Sequence, residues 1–224
     1  MVMPVPNNDL LVVDKDHNLL DLLSIMFQRE GYNLTCCTSG QLAMAAMAEK
    51  NPSLVLSDAA LPDMSGKRFL ADIKRAARST RVAMMSIDPY EHRQFELIGA
   101  LRFVAKPLSR QQLVEALADI KQDRRTTLRL SLRVPLKIDR QQDAMSINFS
   151  SDGALVEGAT TFTGGQHVAV TVCAQDRAEA FTAAGTVVRS DRMNGHYQTA
   201  IYFQENIGHR LLDHLAYFEE LLYQ

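Results

Sequence analysis

Asp14, Lys15 and Asp16 stand directly after the apolar run LLVV (10–13), and the pattern of an amphipathic helix begins behind them. Asp58 closes a second run, SLVLSD (53–58), Ser86 falls at the end of a third, RVAMMSI (81–87), and Lys106 with Pro107 closes LRFVAKP (101–107). If these runs are strands of one open parallel sheet, their carboxyl ends share the edge where such sheets gather functional groups. An aspartate nucleophile, further carboxylates for Mg²⁺, a hydroxyl for a phosphoryl oxygen and a lysine to neutralise charge would make a phosphoryl-acceptor site. Taken singly, each residue is explained more simply as a helix cap or a strand end. The ordered set is not.

A second group has different chemistry. RRTTLRLSLRVPL (124–136) carries Arg124 and Arg125, then Arg129 four residues after Arg125, and NFSSDG (148–153) presents Asn148, Ser150 and Gly153 with the spacing N-x-S-x-x-G. Arginine forks bind phosphate bidentately and stack on purine faces, and Asn and Ser side chains read base or phosphate edges. A glycine at Gly153 would let the backbone approach a ligand closely. The plainer account is a solvated basic strand face followed by a turn, and Arg133 and Lys137 fit that account.

The elements that must position these groups fall into two halves. Over residues 9–121 short apolar runs alternate with helical patterns: LLVV, the helix Asn18–Glu30 closed by Gly31, LTCC (34–37), the helix QLAMAAMAEK ending before Pro52, then the three runs named above. A last helix follows Ser109, with Gln112 placed as its capping-box partner. Continuous apolar strands between helices predict a doubly wound α/β domain with a parallel sheet covered on both faces. After about residue 127 the period becomes two. Leu128, Leu130, Leu132, Val134, Leu136 and Ile138 alternate with polar residues or proline, which predicts one long half-buried strand. ALVEG, HVAVTVC, AFTAAGTVVRS and HYQTAIYF follow, with turns at Gly164-Gly165 and Asn194-Gly195. Many short strands with such turns predict a small antiparallel barrel, and RLLDHLAYFEELLYQ predicts a C-terminal helix packed on it. The boundary falls between 122 and 123, giving domains 1–122 and 123–224. KQDRRTT at that junction holds no Pro, Gly or Ser-rich spacer, so the helix from Ser109 is expected to run stiffly through Asp123 into the arginines.

Composition narrows the function classes. The chain has 224 residues, 46% hydrophobic and 22% charged, with net charge −2, so no overall pull towards nucleic acid is encoded. Three cysteines, two of them adjacent and none in a C-x-x-C pair, argue against a disulfide framework. No signal peptide is expected, and no stretch approaches the roughly 18 apolar residues of a membrane span. These features predict a cytoplasmic protein. The six histidines lack metal-ligand spacing, and no hydrolase motif stands out, so no enzyme is predicted.

Residues 9–121 resemble a two-component response-regulator receiver domain, on VVD (12–14), SDAALPDMSG (57–66), MMS (84–86) and FVAKP (103–107). The resemblance implies a flavodoxin-like fold, Asp58 as phosphoacceptor, Ser86 as switch hydroxyl, Lys106 as phosphate-binding lysine and Phe103 as the aromatic switch residue. The family has two adjacent acids after its first strand; Asp14 matches the first, Lys15 replaces the second and Asp16 lies one residue too far. Asp14 and Asp58 are therefore metal ligands only if Lys15 does not block Mg²⁺, and an altered, poorly phosphorylated receiver is expected. Lys15 would pair with Asp14 or Asp58 in the metal's place, or turn outward. Residues from 124 to about 205 resemble a PilZ domain, whose R-x-x-x-R is met by Arg125 and Arg129 and whose D/N-x-S-x-x-G is met by Asn148, Ser150 and Gly153. That resemblance implies a six-stranded barrel binding cyclic di-GMP. Together the two imply a bacterial signalling protein, with a sensor kinase upstream and an effector protein as docking partner. The rival readings are an adaptor whose sites handle no ligand, and a true phospho-switch acting through Asp58.

Overall fold

The computed structural model describes residues 8–123, 125–173 and 179–222. The chain forms two compact units that divide between Thr126 and Thr127, with Glu96–Gly99 grouped with the second.

In the first unit, strands and helices alternate: β1 (Asp9–Val13), α1 (His17–Arg29), β2 (Asn33–Cys37), α2 (Gly40–Lys50), β3 (Leu54–Asp58), α3 (Gly66–Ala76), β4 (Arg81–Ser86), α4 (His92–Ile98), β5 (Arg102–Ala105) and α5 (Arg110–Gln122). The five strands are parallel in the order β2-β1-β3-β4-β5. β1, β3 and β4 read as unbroken apolar runs because helices cover both their faces, and Leu11, Val12, Val55, Leu56, Ala83 and Met84 are fully buried. Leu20, Leu23 and Phe27 on α1 and Leu113, Leu117 and Ile120 on α5 pack into the core beside Leu10, Leu56 and Met85. The expected capping box at Ser109 and Gln112 is formed. Strand order reverses between β1 and β3, so the crevice of this sheet opens at Asp14 and Asp58.

The second unit is a closed antiparallel barrel of six strands: β6 (Pro135–Ile138), β7 (Gln142–Ser150), β8 (Gly153–Gly158), β9 (His167–Cys173), β10 (Glu179–Met193) and β11 (His196–Phe203), in the order β10-β11-β8-β7-β6-β9. Asn194 and Gly195 make the β10–β11 turn with φ of 50° and 88°, the positive pair that a two-residue hairpin needs. Leu136, Phe149, Val156, Val170, Ile201 and Phe203 fill the interior. The C-terminal segment is two helices, α6 (Gly208–Asp213) and α7 (Leu215–Leu222), broken at His214 where one was expected. Phe218 on α7 stacks on Phe149 at 6.1 Å and closes the core.

The long strand predicted from Leu128 is ladder-paired only from Pro135 onward. Its burial alternates as expected, with Leu132, Val134, Leu136 and Ile138 inside. What departs is the pairing. The Ser146 hydroxyl accepts from Val134 N at 2.7 Å and donates to Leu132 O, Ser146 N donates to Val134 O at 3.0 Å, and Leu130 meets Phe149 in a single bridge. β7 slips register between Ser146 and Asn148, leaving Ile147 as the extra residue of a bulge. The inward phase of Ser146 passes to Phe149 instead of Asn148.

Candidate functional site

Asp14 follows β1, and Asp58 ends the neighbouring β3. Lys106, just beyond β5, lies 2.9 Å from Asp14 Oδ2 and 2.9 Å from Asp58 Oδ1, so one ammonium bridges both carboxylates. Both acids are almost wholly buried. The other Asp14 oxygen accepts from Asp16 N at 2.9 Å. Burial alone would lower the Lys106 pKa, but hydrogen bonds to Asp14 and Asp58 outweigh it, and the pKa stands above its ordinary value. The bridge's contribution to stability is therefore complete below the unfolded lysine value of about 10.4 and is lost as pH rises through the raised one.

Lys15 is exposed and, among the described residues, forms no ion pair. It turns outward, and Lys106 supplies the positive charge between the acids. Asp16 is also exposed; its carboxylate caps α1, accepting from Asn18 N at 2.9 Å and Leu19 N at 3.3 Å. Mg²⁺ takes oxygen ligands in near-ideal octahedral geometry. Here two carboxylates share one ammonium, the next acid serves a helix, and among the described residues no three His, Cys, Asp or Glu side chains gather as a metal set. That donor set does not fit a tightly held divalent ion.

Ser86, at the end of β4, donates to Glu91 Oε2 at 2.8 Å and accepts from Asp88 N at 3.1 Å. Glu91 also pairs with Lys67 at 2.9 Å, and Phe103 stacks on Phe95 at 6.1 Å. Sequence reasoning missed Glu91 and Lys67, because nothing in their spacing marks a contact between α3 and the turn before α4. Asp63, within SDAALPDMSG, accepts from Gln41 N and Gly40 N at 2.8 Å each, and these amides hold its carboxyl below the usual range. It clamps the start of α2.

On the barrel, Leu130 N donates to Phe149 O at 3.0 Å and Phe149 N to Leu130 O at 2.9 Å. That bridge sets Arg129, which is exposed, beside the Ser150 end of β7. The Asn148 Oδ1 atom is buried and, among the described residues, has no hydrogen-bond partner. An orphaned buried acceptor is rare enough to call for a ligand, water or strain as its reason. Asn148, Ser150 and Gly153 lie at the turn expected there, a tight hairpin in which Ser150 pairs with Gly153. Ser150 Oγ donates to Gly153 O at 3.1 Å. A Cβ on Gly153 would lie 2.4 Å from the Ile201 carbonyl oxygen, so β11 takes the space that was expected to admit a ligand. Gly153→Ala should therefore destabilise the barrel by about 1–3 kcal/mol, the usual overpacking range, read as a lower urea midpoint with unchanged slope. Arg125 is exposed, and its backbone N–H donates to Asp123 Oδ1 at 2.9 Å, just past the end of α5. Arg124 lies outside the described residues.

Residues 10–118 match the response regulator receiver domain family and residues 120–220 the PilZ domain family. The probable transcriptional regulatory protein TcrX of Mycobacterium tuberculosis is 33% identical over 106 residues, covering 46% of this chain and 45% of TcrX. The regulatory protein AtoC of Escherichia coli is 29% identical over 108 residues, covering 47% of this chain and 23% of AtoC. The chain thus matches less than half the length of either relative. A solved response regulator receiver domain protein from Clostridium thermocellum superposes with a TM-score of 0.49 at 20% identity, covering 50% of this chain and 93% of that one.

Proposed function

We propose that this chain, whose residues 10–118 match the receiver family and 120–220 the PilZ family, is a signalling protein that binds cyclic di-GMP through its barrel. The observation that carries this reading is the Asn148 Oδ1 atom at the bulge of β7, orphaned among the described residues and next to Phe149, which bridges Leu130 beside Arg129. A guanine base offers N–H donors for an amide oxygen and acceptors for a guanidinium fork, and the phosphates are anions for further arginines. Arg124, Arg125 and Arg129 would supply the cationic contacts, Asn148 the acceptor, and Ser150 and Gly153 the rigid hairpin that holds Asn148 in place. Equilibrium dialysis against cyclic di-GMP, GTP and cyclic AMP tests the selectivity: retention of cyclic di-GMP alone supports it, and equal retention of all three removes it.

The receiver is read as altered. Asp58 stays the phosphoacceptor position, with Ser86, Lys106 and Phe103 around it, but Lys15 leaves the metal set one oxygen short. Because Lys15 is exposed, its charge is screened, and the missing ligand matters more than repulsion. Lys15→Asp should raise Mg²⁺ affinity at least about tenfold, or 1.4 kcal/mol, and speed labelling of Asp58 by a small phosphodonor, followed by intact mass. Efficient Mg²⁺-dependent labelling of the unaltered protein would overturn this and favour the phospho-switch reading with a sensor kinase upstream. Output is proposed to pass by docking to an effector protein in the cytoplasm. Among the described residues no helix is long and apolar enough to cross a membrane, and none of Cys36, Cys37 and Cys173 is in a disulfide.

A further inference from the structure

Lys74 is fully buried on α3, a position where an aliphatic side chain would carry no desolvation penalty. Its ammonium donates to Thr80 O at 2.8 Å and to Thr126 O at 2.5 Å. Thr80 is buried too, and its hydroxyl donates to Pro52 O at 3.3 Å, so the anchor is itself tied down. The next residue along, Thr127, is buried and donates its hydroxyl to Asp152 Oδ2 at 2.9 Å. Asp152 Oδ1 accepts from Asn206 Nδ2 at 2.9 Å, and Asp152 N donates to Ser150 Oγ at 3.3 Å. The first tie lies within the first unit and the second within the barrel, on two successive residues of the stretch between Arg125 and Arg129.

From this arrangement we infer that Lys74 and the Thr127–Asp152 pair are positioning residues for the nucleotide-binding arginines. The inference rests on the cyclic di-GMP reading above. Arg125 and Arg129 keep exposed side chains, while the backbone between them is fixed at Thr126 by a charged donor and at Thr127 by the hairpin that carries Asn148 and Ser150. A guanidinium on a fixed backbone loses less freedom when it closes on an anion, and that preorganisation appears as affinity.

The test uses the full chain with Lys74→Met, Thr127→Val and Thr127→Ser, reading amide hydrogen exchange over 125–130 and cyclic di-GMP affinity by calorimetry. Lys74→Met and Thr127→Val should each speed exchange over that stretch and weaken binding about tenfold, with β10 and β11 protection unchanged. Thr127→Ser keeps the hydroxyl and should bind as the wild type does. Variants that bind within about twofold of a normally binding wild type, or whose 125–130 exchange is unchanged, overturn the positioning role alone. A wild type that binds no nucleotide removes the cyclic di-GMP reading and this role with it. If Lys74→Met does not fold, the Thr127 pair decides the matter.

Discussion

Lys106→Met should lower the free energy of unfolding of the receiver by about 3–5 kcal/mol, the usual result of taking one partner out of a buried ion pair. The Asp14 and Asp58 side chains are 2% and 6% exposed, and the ammonium 2.9 Å from each is their shared counter-charge. With methionine in its place, two carboxylates on neighbouring strands face each other with no cation between them. The Lys106 side chain is 19% exposed, so water screens part of the loss and the lower end of the range is the firmer expectation. Urea unfolding followed by receiver amide exchange measures it. Asp58→Asn added to Lys106→Met should recover part of the loss, because it removes one of the stranded charges. The gap between wild type and Lys106→Met should also narrow as pH rises past the raised Lys106 pKa, where the wild type gives up its own bridge. An unchanged midpoint at neutral pH would mean that the bridge contributes nothing.

Arg129→Ala should weaken cyclic di-GMP binding by about 1.5–3 kcal/mol, the range for a hydrogen bond to a charged group, or roughly ten- to a hundredfold. Arg129→Lys should recover only part of this, since an ammonium keeps the charge but not the planar fork. Arg133→Ala is the matched control. Arg133 pairs with Glu157 at 2.5 Å on the exposed barrel surface, so its removal should change affinity by less than about twofold. Equal losses at Arg129 and Arg133 would indicate a general charge effect and no specific site.

Much of the frame was legible because periodicity reports burial. Apolar runs between helices gave the parallel sheet, and that topology alone brings Asp14, Asp58 and Lys106 to one edge from three distant stretches. The part played by each acid was less legible. A carboxylate at the start of a helix reads alike whether it caps the helix or waits for a metal, and Asp16 turned out to cap. Alternation from Leu128 to Ile138 showed which side chains face inward but not what pairs with the backbone, which Ser146 decides through its hydroxyl. β7 escaped notice as a strand because the bulge at Ile147 breaks its period of two. Gly153 carried a motif signal that was read as room for a ligand, whereas the close approach is to β11. Lys74 gave no signal at all, since a lysine on an amphipathic helix ordinarily faces water.

The most direct measurement is a calorimetric titration of the unaltered chain with cyclic di-GMP. Saturable heat with a dissociation constant below about 10 µM is expected, with loss of most of that heat in Arg129→Ala under the same conditions. Absence of saturable heat or any spectral change up to roughly 50 µM nucleotide would contradict it.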